Sequence, residues 1–108
     1  MANAFKSNVA ADIVTSGNTV YTCPSATQTT LIGLTLSNKS AGTVSANVFL
    51  RRSATDYSIV SNVPILTGST LVPIGGEQKV VFQAADELKV TVSANASVDV
   101  IASLLEIS

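Results

Sequence analysis

Residues 33–52, GLTLSNKSAGTVSANVFLRR, decide how this chain is read. On the leading side Ile32, Leu34 and Leu36 fall on one face, with Gly33, Thr35 and Ser37 on the other. Beyond the middle, Val44, Ala46, Val48 and Leu50 repeat the pattern, with Ser45, Asn47 and Arg51 opposite. A period of two is the signature of strands whose apolar side chains enter a core while their polar ones face out. Between the runs, Asn38 to Thr43 contains Gly42 and short side chains that hydrogen-bond their own backbone, which marks a turn. The stretch therefore predicts a β-hairpin with a polar loop.

The same pattern extends outward. Asn18 to Thr22 predicts a short strand after the turn Ser16-Gly17-Asn18. Tyr57 to Leu66 alternates, but Pro64 cannot donate to a ladder, so this run is an edge or breaks in two. Leu71 to Ile74, Lys79 to Gln83 and Leu88 to Ala94 are further short strands. Gly75-Gly76, the segment Ala84 to Glu87 and Asn95-Ala96-Ser97 punctuate them. Val98 to Ile107 could be a helix with Asp99, Ser103 and Glu106 on one face, but β-branched Val98, Val100 and Ile101 favour a strand. Its apolar residues on both faces near Leu104 and Leu105 suit a central or subunit-covered position. Eight or nine short strands spaced by turns predict an all-β chain, an antiparallel β-sandwich or jelly roll. Residues 1–12 are the least patterned and read as an arm of the kind that orders against a neighbour; residues 13–108 form one domain.

Composition agrees. The 108 residues suffice for one domain. Val, Ile and Thr supply 33 of them, a strand-building share. Charged residues are only 12%, about half the usual fraction of a soluble domain. A net charge of −1 offers no basic field for nucleic acid or an anionic membrane surface. No apolar run approaches the roughly 18 residues of a spanning helix. The opening MANAFKSNVAADIV has no apolar core and does not read as a signal peptide.

Chemistry is scarce. There is no histidine, so Ser–His–Asp and Cys–His sites cannot form within the chain. Cys23 reads as a small buried side chain before Pro24. Asp12, Asp56, Glu77, Asp99 and Glu106 are scattered, without the clustering of a calcium loop, and Asp86-Glu87 would diverge on a strand. Gly75-Gly76 is not followed by the residues of a phosphate loop. No enzyme, cofactor or metal site is expected. Phe82 reads as core. Phe49 lies on the outward face with Asn47 and Arg51, where loop residues cover it or a partner does. The candidate interface set is Phe5, Asn38, Lys39, Phe49, Arg51 and Tyr57.

Three stretches carry a resemblance: NTVYTCPSATQTTLIGLTLSN, VSANVFL and KVVFQAADELKVTVSANASVDVIASLLEI. Together they are similar to small virion structural proteins of tailed bacteriophages, notably of cyanobacterial and marine phages. The resemblance covers most of residues 18–108 and implies a β-sandwich subunit repeated symmetrically on a particle. It implies a capsid decoration or cement protein, or a neck, tail or baseplate component, made in the host bacterial cytoplasm and located in the virion. The implied partners are further copies of the chain, a trimer among the possible symmetries, and the major capsid protein or other virion proteins. It supplies no catalytic residues. A carbohydrate-binding or host-adhesion module is the rival of another class; it would need Tyr21, Phe49 and Tyr57 as an exposed aromatic platform.

Overall fold

The computed structural model describes residues 3–74, 79–95 and 97–107. Nine strands are formed: β1 Asn3–Ala10, β2 Asn18–Thr22, β3 Gln28–Asn38, β4 Val44–Arg52, β5 Thr55–Ile65, β6 Thr70–Ile74, β7 Val80–Phe82, β8 Glu87–Val92 and β9 Val98–Ile107. They make two antiparallel sheets. One runs β1-β9-β3-β6, with β7 also on the β3 edge; the other runs β2-β8-β4-β5. This order, a five-strand and a four-strand layer linked by crossings from sheet to sheet, is that of a jelly roll. β6 and β7 share one neighbour: β6 pairs with Leu34–Ser37 and β7 with Thr29–Leu31. The turn expected at Gly75-Gly76 and part of that at Asn95-Ala96-Ser97 lie outside the described residues.

The core lies between the sheets and is built from alternate residues. Leu31, Leu34 and Leu36 of β3 and Val98, Val100, Ala102 and Leu104 of β9 meet Val44, Ala46 and Val48 of β4 and Leu88, Val90 and Val92 of β8. At one end Phe82 is fully buried and stacks on Tyr21, ring centroids 6.0 Å apart. Cys23 is buried beside them, with its sulfur 3.3 Å from the Thr29 hydroxyl.

The central stretch forms both expected strands but not the expected hairpin: β3 pairs with β9, β6 and β7 and β4 with β5 and β8, so the loop after Asn38 crosses from one sheet to the other. Alternation shows that each run has one buried face and is silent on which strand it pairs with, and here the two buried faces meet across the core. One residue also changes face. Leu34 and Leu36 point inward as read, but Ile32 does not, because the register with β9 slips between Leu31 and Gly33. This bulge moves Leu31 into the core and leaves Ile32 half-buried on the other face. β9 is a strand throughout, paired on both sides. β5 is an edge strand that accommodates Pro64 and breaks register twice against β4. Gly17, at φ +101°, occupies the turn before β2, where an added Cβ would lie 2.9 Å from side-chain carbons of Lys89 and Thr91. The β4–β5 connection is two residues, Ser53 and Ala54, at φ 53° and 64°. Positive φ at both central positions is the primed turn that matches strand twist.

Candidate interaction surface

Residues 3–10 of the expected arm form β1. It lies antiparallel on β9 in unbroken register, from Asn3 opposite Ile107 to Ala10 opposite Val100. Among the described residues its far edge has no strand partner, so its outward main-chain groups are open to pairing. Phe5 and Val9 are 80% and 70% exposed.

Register places these residues in rows across the outer face of the β1-β9-β3 sheet. Phe5 lies opposite Leu105, Leu105 opposite Thr30, and Thr30 opposite Val81. The next apolar row joins Val9, Ile101 and Thr35; between them Ser7 faces Ser103. Val81 and Ile101 are about half exposed. Among the described strand positions of this face, Asp99 at one end is the charged residue. The outer face of the other sheet is different in kind. There Arg51 lies opposite both Glu87 and Asp56, and Lys89 opposite Phe49. A protein surface that loses its charge on one face while keeping it on the other is asymmetric in what it can bury, because burying unpaired charges is costly.

Beneath β1 sits a buried polar cluster. Glu106 is buried and accepts a hydrogen bond from the Tyr21 hydroxyl at 2.5 Å. That bond takes the tyrosine's only proton, so the Thr29 hydroxyl, 2.7 Å away, donates to the Tyr21 oxygen. Lys6 reaches the other carboxylate oxygen at 3.1 Å. The Tyr21 hydrogen bond, opposed by burial and helped by Lys6, holds the Glu106 carboxyl below its ordinary range. Burial and the neighbouring carboxylate push the Tyr21 phenol up. Glu106 is therefore a charged group at neutral pH, poorly suited to accept a proton, and Tyr21 is poorly suited to lose one. Among the described residues no group of three His, Cys, Asp or Glu side chains is placed to hold a metal.

The sequence-derived interface set is scattered rather than gathered. Phe5 is on β1. Lys39 is exposed on the β3–β4 loop, where it bridges Asp12 at 2.5 Å and Asp99 at 3.0 Å. Asn38 is buried and fully engaged: its amide nitrogen donates to the carbonyls of Gly42 and Ile65, and its oxygen accepts from the Ser40 amide and hydroxyl. It braces the loop from inside and has nothing left for a partner. Phe49 is half-buried, and Arg51 pairs with Asp56 at 2.9 Å. Tyr57 is 56% exposed. Register sets Tyr57 opposite Leu50 and Phe49 opposite Ser58, so the two rings lie on opposite faces. With Tyr21 buried, the three aromatics do not assemble a sugar-stacking platform.

A shallow cleft of about 290 Å³ lies between the Arg51–Ala54 and Ala84–Glu87 segments. Both of its arginines are committed: Arg52 grips Asp86 through Nε and Nη2 at 2.9 and 2.6 Å, and Arg51 pairs with Asp56. The outer face carried by β1 and β9 was the feature hardest to name from sequence. Its signal was the apolar residues on both faces of β9.

No family model and no curated protein matches this chain. Two solved structures are similar to it in fold. One is a subunit of Bacillus endospore appendages, a novel family of disulfide-linked pili. It is 13% identical with a TM-score of 0.59, and the match covers 98% of this chain and 88% of that one. The other is a chain of the T13 IBDV viral particle, 11% identical with a TM-score of 0.54. Here 96% of this chain matches only 30% of that one.

Proposed function

We propose that this chain is a non-enzymatic structural subunit of a virion, a capsid decoration or cement protein that binds the shell as a symmetric oligomer and stabilises it. The observation that carries the reading is the outer face of the β1-β9-β3 sheet, which sets exposed Phe5, Val9, Ile101 and Val81 in register with almost no charge. Such a face fits burial against like copies and against the shell. The jelly roll it shares with a viral-particle chain and a pilus subunit supports the reading at the level of fold. The mechanism is passive. Each copy binds the assembled shell but not its dissociated parts, so binding shifts the equilibrium toward the shell, and contacts repeated by symmetry multiply modest affinities.

Cross-linking of the appendage kind does not transfer. Cys23 is the chain's single cysteine and is buried, and one thiol per subunit can join two chains but never build a polymer.

The test is the mass in solution, by light scattering behind a sizing column, of the parent and of Ile101→Asp. A closed oligomer such as a trimer is expected for the parent, and a folded monomer for the variant. A larger ring would move the assignment to a neck, tail or baseplate component. An oligomer unchanged by Ile101→Asp would overturn the role given to this face.

A further inference from the structure

We propose that β1 is an exchangeable strand: in the assembled protein it leaves its own chain at Ala11–Asp12 and pairs with β9 of a second copy, delivering Lys6 to that copy's Glu106. The inference rests on the self-assembling subunit proposed above and specifies how its copies are joined.

Three observations carry it. The first is what holds β1. Residues 3–7 are all exposed, so β1 contributes little to the core. It is fastened by its main-chain ladder to β9, by the Lys6–Glu106 ion pair, and by the Asn8 amide donating to the Val20 carbonyl at 3.1 Å. Every one of these contacts is reproduced without loss by the same strand from another copy, which is why exchange of an identical element is a low-cost route to association.

The second is what β1 leaves behind. β9 lies between β1 and β3, and its inward residues Val100, Ala102, Leu104 and Glu106 are buried. Without β1, β9 would present a long, largely apolar edge and a carboxylate stripped of its lysine. An open edge of that composition demands a replacement strand. The strand that fits it, with a lysine in register for Glu106, is the chain's own β1, so the occupant is a second copy.

The third is the hinge. Ile13 is fully buried and its amide donates to the Val98 carbonyl at 3.0 Å, so the chain is anchored in its own core from that residue onward. All of the change can therefore be confined to Ala11 and Asp12, both exposed. Asp12 holds the connection closed in a left-handed conformation, φ 56°, which Asp tolerates better than most residues but still occupies at some cost relative to glycine. Short connections under strain favour exchange. The latch on the closed hinge consists of the Asp12 amide donating to Asp99 at 3.1 Å and of Lys39 bridging Asp12 and Asp99. These are exposed charges, the kind of contact that salt weakens.

Ser7 and Ser103 are opposite one another on the outer face, so cysteines there report which β9 each β1 occupies. The full chain carrying Ser7→Cys and Ser103→Cys is oxidised mildly, its remaining thiols are alkylated, and it is run on a non-reducing denaturing gel beside light scattering of the parent. Covalent multimers, with an oligomeric parent, are expected. Intrachain cross-links in an oligomeric parent overturn exchange and leave the assembly reading standing. Intrachain cross-links in a monomeric parent overturn both. No cross-link in either form means β1 does not rest on β9 and also overturns exchange. Mixing the two single variants, one bearing a size tag, gives a second readout: a covalent tagged–untagged pair is expected, and its absence in an oligomeric mixture overturns exchange even if the double variant folds poorly.

Discussion

Glu106 is, with Asp86, one of the two buried carboxylates among the described residues. Nothing in its sequence neighbourhood, SLLEIS, distinguishes it from a solvated glutamate near a strand end. Alternation placed it on the inward face of β9, and topology then brought Tyr21 from the opposite sheet and Lys6 from β1 to its two oxygens. A buried carboxylate is tolerated when its oxygens are satisfied and its charge is paired. Removing one donor should therefore cost more than the bond's own net value, because an anion is left under-solvated. Tyr21→Phe keeps the ring and its stacking on Phe82 while deleting the hydroxyl. The expected loss is about 1–3 kcal/mol, read from the midpoint of urea unfolding at neutral pH. Pairing the change with Glu106→Gln should recover part of the loss, since the charge that needed the donor is gone. An additive double variant would show that the two groups do not interact as drawn.

At the scale of elements, what could be read followed from residue chemistry with a fixed local meaning. Apolar alternation located β3, β4 and β9, Gly17 located the turn before β2, and Pro64 left β5 as an edge or a break, of which the edge is formed. What could not be read was set by neighbours. The bulge at Ile32 arises in pairing with β9, and no residue in TTLIGLTL announces it. β1 takes its conformation from the strand it lies on; its sequence, NAFKSNVA, has only Phe5 and Val9 as large apolar residues, too few to announce a period. The β4–β5 hairpin is a sharper case. Its turn is Ser53-Ala54, both at positive φ, where asparagine and glycine are strongly preferred. A residue with a Cβ in this region costs roughly 1–2 kcal/mol, so the hairpin is imposed by the pairing of β4 with β5 and carries strain. Ser53→Asn with Ala54→Gly should relieve it, raising unfolding stability by about 1 kcal/mol once glycine's added chain entropy is allowed for. A thermal melt checks this, and a lower melting temperature would show that the turn is not strained.

For the whole molecule, composition limited the function more firmly than any motif could. The absence of histidine and the single cysteine leave no Ser–His–Asp or Cys–His site within the chain. The surface proposed for assembly, by contrast, is built from β1, β9, β3 and β7, which are far apart in the chain, so no window of sequence contained it. The chain's sparse charge sets the pH response. Asp86 is held below the ordinary carboxylate range by Arg52, against the opposing effect of burial and with help from the Gln83 amide; Glu106 is lowered by Tyr21 and Lys6. Asp99, lowered by Lys39 and the Asp12 amide, is exposed and adds little in salt. A carboxyl whose folded value lies below its unfolded one binds fewer protons folded than unfolded across the interval between them, so stability rises with pH there. The contribution is complete above the unfolded values near about 4 and is lost as pH falls through the folded ones. Above that interval no histidine titrates. Urea midpoints should therefore be level from about pH 5.5 to 8 and decline below about pH 4. Tyr21→Phe should begin its decline at higher pH than the parent, because it removes the foremost cause of the Glu106 shift. A parent midpoint that instead fell between pH 5.5 and 8 would mean that Glu106 is protonated in the folded protein, and the ion pair with Lys6 would have to be abandoned.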